Sequence, residues 1–107
     1  MNTVFNFTSK DKLNAIAALP LQSIKGNTIT LTGIAVDDRP DRDGQVITIG
    51  YLKDSEGNIY TTISDTVIRG LVALMDYMCD ESLDEIDVKI ATKKSKNNRE
   101  FYLLELV

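Results

Sequence analysis

The chain of 107 residues contains no histidine, no tryptophan and a single cysteine, Cys79. Without histidine there is no Ser-His-Asp triad and no His–Cys metal cluster, and one cysteine excludes an intramolecular disulfide. A lone thiol suits a reducing compartment. Long apolar runs are also missing: none exceeds five residues, against the roughly 20 that a membrane-spanning helix needs. The start, Met1 to Thr8, lacks the basic stretch and apolar core of a secretory signal. A cytoplasmic protein with no membrane association is therefore expected. Positive charge is in deficit, with 12 basic against 16 acidic residues and a pI near 4.7. What remains is the composition of a globular protein, 43% hydrophobic, at the length of one domain spanning residues 1–107.

Thr8 or Ser9 can cap a short helix with Asp11 near its positive end. Leu13, Ile16, Ala17 and Leu19 recur at helical spacing, and Pro20 is expected to end the helix. From Thr28 the period becomes two, so Ile29, Leu31 and Ala35 are predicted to face the core. Gly33 marks a bend or bulge in that strand. Asp37 to Gly44 reads as a polar loop, Gln45 to Leu52 as a second strand and Ile59 to Ile63 as a third. Ser64 caps a main helix, Asp65 to about Met78, with Val67, Ile68, Leu71, Leu74, Met75 and Met78 as its apolar stripe. Strands from about Ile86 to Thr92 and from Arg99 to Leu106 follow, joined through Lys93–Asn98. This order predicts a mainly β protein: an OB-fold-like five-stranded barrel, with an N-terminal helix and a helix between strands 3 and 4. An open α+β sheet with a helix packed across it fits the same string.

The charges are unevenly distributed. Lys89, Lys93, Lys94, Lys96 and Arg99 occur without an intervening acid, while Asp76 to Asp87 holds six acids and no base. In an OB-fold the loop between strands four and five and the loop between strands one and two flank an oligonucleotide groove. The second of these carries Arg39 and Arg42. Lys89, Lys93, Lys94, Lys96, Arg39 and Arg42 are therefore the candidate phosphate contacts, with solvated turn lysines as the plainer reading. Single strands also need planar faces for stacking. Tyr60 opposes Ile59 and Ile63 in the alternation, Tyr51 lies near an exposed strand end, and Phe101 falls beside Glu105; these are the candidate platforms.

Catalysis has less support. Asp37, Asp41, Asp43 and Gly44 do not reproduce a calcium-binding loop, which needs a central glycine and a terminal glutamate. No glycine-rich phosphate loop occurs, and Cys79 stands beside Asp80 and Glu81, the wrong charge to favour a thiolate nucleophile. No enzyme activity, cofactor or metal is expected.

Gln45–Ile49, then Gly57 to Val67 with Tyr60 followed by Ile63-Ser64 and Thr66-Val67, resemble the replication single-stranded DNA-binding proteins of small protein-primed Bacillus podophages. Asp87–Ala91, Lys93–Asn98 and Phe101–Leu106 extend the similarity over residues 45–107. The resemblance implies an OB-like protein that coats and protects displaced single strands in a bacterial host. Single-stranded DNA would be its partner, together with replication or host proteins and further copies of itself, as a homo-oligomer or a cooperative array. Tyr60 falls on a family tyrosine linked to base stacking. The family's tyrosines in and just after strand one are absent, and Asp37 and Asp38 stand there. An OB-like protein-interaction module without DNA binding, such as a phage inhibitor or adaptor of host proteins, is the alternative.

Overall fold

The computed structural model describes residues 3–107; Met1 and Asn2, part of the N-terminal stretch read above, lie outside them. In chain order the elements are β1 (Thr3–Phe5), α1 (Ser9–Asn14) running into a 3-10 turn at Ala15–Ala17, β2 (Leu19–Pro20), and a second 3-10 turn at Leu21–Ile24. Then come β3 (Thr28–Pro40), β4 (Val46–Asp54), β5 (Ile59–Thr62), α2 (Asp65–Asp80), β6 (Ile86–Lys94) and β7 (Glu100–Leu106). The strands form one sheet in the order β2-β5-β4-β3-β6-β7, with β1 also paired to β3.

The five strands read from the sequence are β3 to β7, with α2 in the expected place. The expected five-stranded barrel is corrected in two respects. The N-terminal segment adds two short strands, giving seven, and the sheet curls into a half-barrel whose edges are β2 and β7. At four residues β5 offers little edge, and part of it is taken by β2, which pairs in parallel with Tyr60 and Thr61.

β3 is the longest strand because its pairing with β4 continues past the predicted end, through residues that carry no apolar alternation. Asp37 to Pro40 pair with β4 from Ile49 to Val46, so the expected polar loop over 37–44 shrinks to residues 41–45. Asp41 shapes that turn by accepting hydrogen bonds on Oδ1 from the amides of Asp43 and Gln45, at 2.8 and 2.9 Å. The register of β3 shifts between Leu31 and Gly33, the bulge anticipated from Gly33. A Cβ there would sit 2.6 Å from the Asn6 carbonyl oxygen, so only glycine admits this close approach. Before the bulge β3 pairs with β6; after it, with β1.

Two cores form on opposite faces of the sheet. The main one joins Ile29, Leu31, Ile34, Leu52, Tyr60, Val88 and Ile90 to the α2 stripe Val67, Leu71, Leu74 and Met78. Ser64 caps α2 by accepting from the Val67 amide, and Gly50 lets the helix approach β4, since a Cβ there would lie 3.0 Å from Leu71. The second core packs Phe7 and Ala15 over Ala35, Tyr51 and Ile59.

The N-terminal helix departs from its predicted face. Leu13 and Ile16 are 68% and 82% exposed, and Ala15 is buried instead. The helix is only six residues long and tightens to 3-10 at Ala15, which rotates the face away from the α-helical period. It ends at Ala17, so Pro20 serves β2 and not as a helix stop. Polar contacts hold α1 in place: Thr8 and Asp11 form a reciprocal capping box, and Lys53 Nζ on β4 donates to Asp11 Oδ2 at 2.8 Å.

Burial alone would raise the Asp11 carboxyl, but hydrogen bonds from Lys53 and Thr8 outweigh it and hold the group below the usual carboxylate range. A depressed carboxyl stabilises the fold above its unfolded pKa of about 4, and that stability is lost as pH falls through the folded value. Asp11→Asn is therefore expected to be about 1–2 kcal/mol less stable near neutral pH. In urea denaturation the gap to wild type should close as the pH is lowered below about 4.

Candidate nucleic-acid interface

Two hairpins carry the predicted cations. On the β3–β4 hairpin, Arg39 lies across from Ile47 and Arg42 stands in the turn. On the β6–β7 hairpin, Lys93 lies across from Phe101, Lys94 from Glu100 and Lys89 from Glu105, with Lys96 in the turn. All six basic side chains are exposed. By register the hairpins project from opposite ends of β3, since Pro40↔Val46 closes one end and Thr28↔Lys89 leads into the other. The structure thus leaves two groups of basic side chains that bracket the central strand and do not merge, and only the β6–β7 hairpin is net positive, because Arg39 and Arg42 stand among Asp37, Asp38, Asp41 and Asp43.

Their charges are not equally available. Arg39 Nε donates to Asp37 Oδ2 at 2.9 Å, which holds the Asp37 carboxyl below its ordinary value and keeps the guanidinium protonated. Asp38 Oδ1 accepts from the Thr48 hydroxyl at 2.7 Å. Asp37 and Asp38 are therefore engaged within the hairpin. Val46 and Ile47 are exposed beside these groups. Lys25, which sequence spacing does not point to, joins the other cluster through an ion pair with Glu100. Only the pairing of β6 with β7 and with the start of β3 brings Lys25 there.

The aromatic candidates divide. Tyr60, expected to be exposed, is 7% exposed and belongs to the main core. Its hydroxyl lies 3.4 Å from Asp54 Oδ2, and burial, reinforced by Asp54, pushes the phenol above its ordinary value. Tyr51 is 4% exposed and packs 6.2 Å, centroid to centroid, from Phe7 in the second core. The same correction applies to both: β5 and the inner half of β4 are covered on both faces, one by α2 and the other by the N-terminal segment. Alternation correctly put Tyr60 and Ile59 on opposite faces but could not show that each face has its own cover. Phe101 is half-buried, on the face opposite Tyr102 and Leu104, directly across from Lys93.

No cluster of metal-ligating side chains occurs among the described residues, nor any helix long and apolar enough to cross a membrane. The acids of residues 76–87 are exposed on the last turns of α2, where Cys79 is also exposed, on the segment after it and, for Asp87, at the start of β6.

The net-positive β6–β7 hairpin with Phe101 at its surface offers the kinds of group, cations and an aromatic face, that single-strand binding uses. The profile of the family described as phage single-stranded DNA-binding protein matches residues 10–107. The chain belongs to that family. The match takes in α1 from Lys10 onward, both hairpins and all of the sheet except β1. Neither a search of curated proteins nor one of solved structures returned a match. Membership establishes single-stranded DNA binding in phage replication as the chain's class of function.

Proposed function

We propose that this phage single-stranded DNA-binding protein coats displaced strands without sequence preference and shields them during replication, acting in the cytoplasm of a bacterial host. The family match over residues 10–107 carries the reading. It is supported by the β6–β7 hairpin, where Lys89, Lys93, Lys94 and Lys96 lie exposed beside the half-buried Phe101. Lysines that follow the backbone and rings that accept any base give affinity without base-edge readout. The protein works by occupying the strand and not by catalysis. Net negative charge does not oppose this, because the local field at the β6–β7 hairpin decides the approach of phosphates, and of the acids of residues 76–87 only Asp87 lies on that hairpin, where it accepts from the Thr30 hydroxyl.

The test is fluorescence anisotropy of a labelled oligothymidylate of about 30 nucleotides, longer than the ~4–16 nucleotides one such domain covers. Binding is expected to weaken by about 0.7 logarithmic units per phosphate neutralised for each tenfold rise in salt. Duplex DNA should compete poorly. No binding in low salt at tens of micromolar protein would refute the proposal, and a partner protein would then be the ligand to seek.

A further inference from the structure

Where a closed barrel would pair β5 with β7, this sheet leaves a furrow. β2 covers only Tyr60 and Thr61 on the edge of β5. Pro20 has no amide hydrogen to extend the ladder, and the chain turns into 3-10 helix at Leu21. The remaining opening, about 300 Å³, is lined by Pro20, Gln22, Thr62, Ile63, Ser64 and Tyr102, among others. Tyr102 packs against the main core beside Leu104 yet stays half-exposed. Ile63 stands at the rim, 71% exposed. The furrow thus has an aromatic residue in its lining, an apolar rim, the Gln22 amide, and the Thr62 and Ser64 hydroxyls, whose oxygens accept from the Ser64 and Val67 amides and whose hydrogens remain to donate.

Its surroundings favour an anionic chain. Alternation places Lys94 and Glu100 on the same side of the β6–β7 hairpin as Tyr102, with Glu100 bridged to Lys25. These three groups sum to one positive charge. At the other end, Asp65 is neutralised by Arg69 at 2.9 Å. Tyr77 is also an exposed ring, but it sits among the acids of α2, where phosphates are repelled.

We propose that this furrow is a nucleobase subsite: one base of single-stranded DNA lies against the Tyr102 ring and Ile63, and the adjoining phosphate reaches Lys94. The subsite rests on the DNA-coating reading and names where a base goes once Tyr60 and Tyr51 are enclosed. It accepts any base, because every base has a π-face and the rim groups are adaptable.

The chain has no tryptophan, so Ile63→Trp places a single indole at the rim. Titration with the same oligothymidylate should quench its emission, while Leu13→Trp on α1 should not respond. Tyr102→Leu should weaken binding about tenfold, and Tyr102→Phe, which keeps the ring, should bind as wild type does. Ile63→Ser, at an exposed position that does not jeopardise folding, should also weaken binding. If wild type binds and both Tyr102→Leu and Ile63→Ser bind equally well, with the indole emission of Ile63→Trp unmoved, the subsite is overturned and the coating function stands. If wild type does not bind the oligomer at all, both fail.

Discussion

Replacing Tyr60 by alanine is expected to cost about 3–5 kcal/mol of folding stability, the range for a buried aromatic side chain cut back in a core. The ring is enclosed with Leu21, Leu52 and the α2 stripe, so its loss opens a cavity that the half-barrel closes only partly. Domains of this size hold about 5–15 kcal/mol in total. The melting temperature should therefore fall by well over 10 °C, at about 4–8 °C per kcal/mol. Thermal melting and urea denaturation check this directly. Tyr60→Phe should cost about 1 kcal/mol or less, because only the long contact with Asp54 is lost. Asp54 keeps its hydrogen bonds from the Glu56 and Asn58 amides and from the Asn58 side chain.

Binding separates this reading from the stacking role that the family resemblance implies for Tyr60. Tyr60→Leu keeps most of the apolar volume but removes the aromatic face. A stacking platform would lose about 1–3 kcal/mol of binding through that change. A core residue loses stability and leaves the affinity of the folded protein unchanged, which is the expected result. A tenfold weaker complex at undiminished stability would mean that the ring swings out of the core to meet DNA.

The second large effect lies on the β6–β7 hairpin. Lys93→Gln, Lys94→Gln and Lys96→Gln combined should lower affinity for oligothymidylate on the order of 100-fold in low salt. The slope of log affinity against log salt should fall by about 2, at ~0.7 for each phosphate contact removed. All three side chains are exposed, so the fold should change little. Arg39→Gln should do much less, since Asp37 already holds that guanidinium at 2.9 Å. Anisotropy titrations at several salt concentrations measure both quantities. An unchanged slope in the triple variant would move the backbone path to Arg42 and the β3–β4 hairpin.

Several features were legible because their causes are local. Ser64 before an apolar stripe at helical spacing determines α2, and the structure places its cap and buried face as expected. Gly33 in an alternating run indicates a bulge because only a residue without Cβ admits the Asn6 carbonyl. The segment Lys93–Asn98 reads as a turn, and its second part forms one, with Ser95 accepting from Asn98 across it, while Lys93 and Lys94 extend β6 beyond the predicted end. The site was less legible. Exposure of a strand residue depends on what lies above it, and nothing near Tyr51 in the sequence announces Phe7 and Ala15 as its cover.

By itself the sequence determined the order of the five main strands with α2 among them, the basic hairpin between the last two, the enclosed α2 stripe and membership of the phage single-stranded DNA-binding family. These follow from hydrogen-bonding periodicity, turn chemistry and charge spacing, all of which act over a few residues. Tertiary structure alone decided which aromatics remain available, that Asp37 and Asp38 are engaged within their hairpin, and that Lys25 joins Glu100. It also decided that the sheet stays open beside Tyr102, since β2 takes part of the β5 edge and Pro20 cannot extend it. Apart from the Asp37 and Asp38 contacts, which the register of a single hairpin decides, each of these depends on segments far apart in the chain that meet only when the sheet assembles.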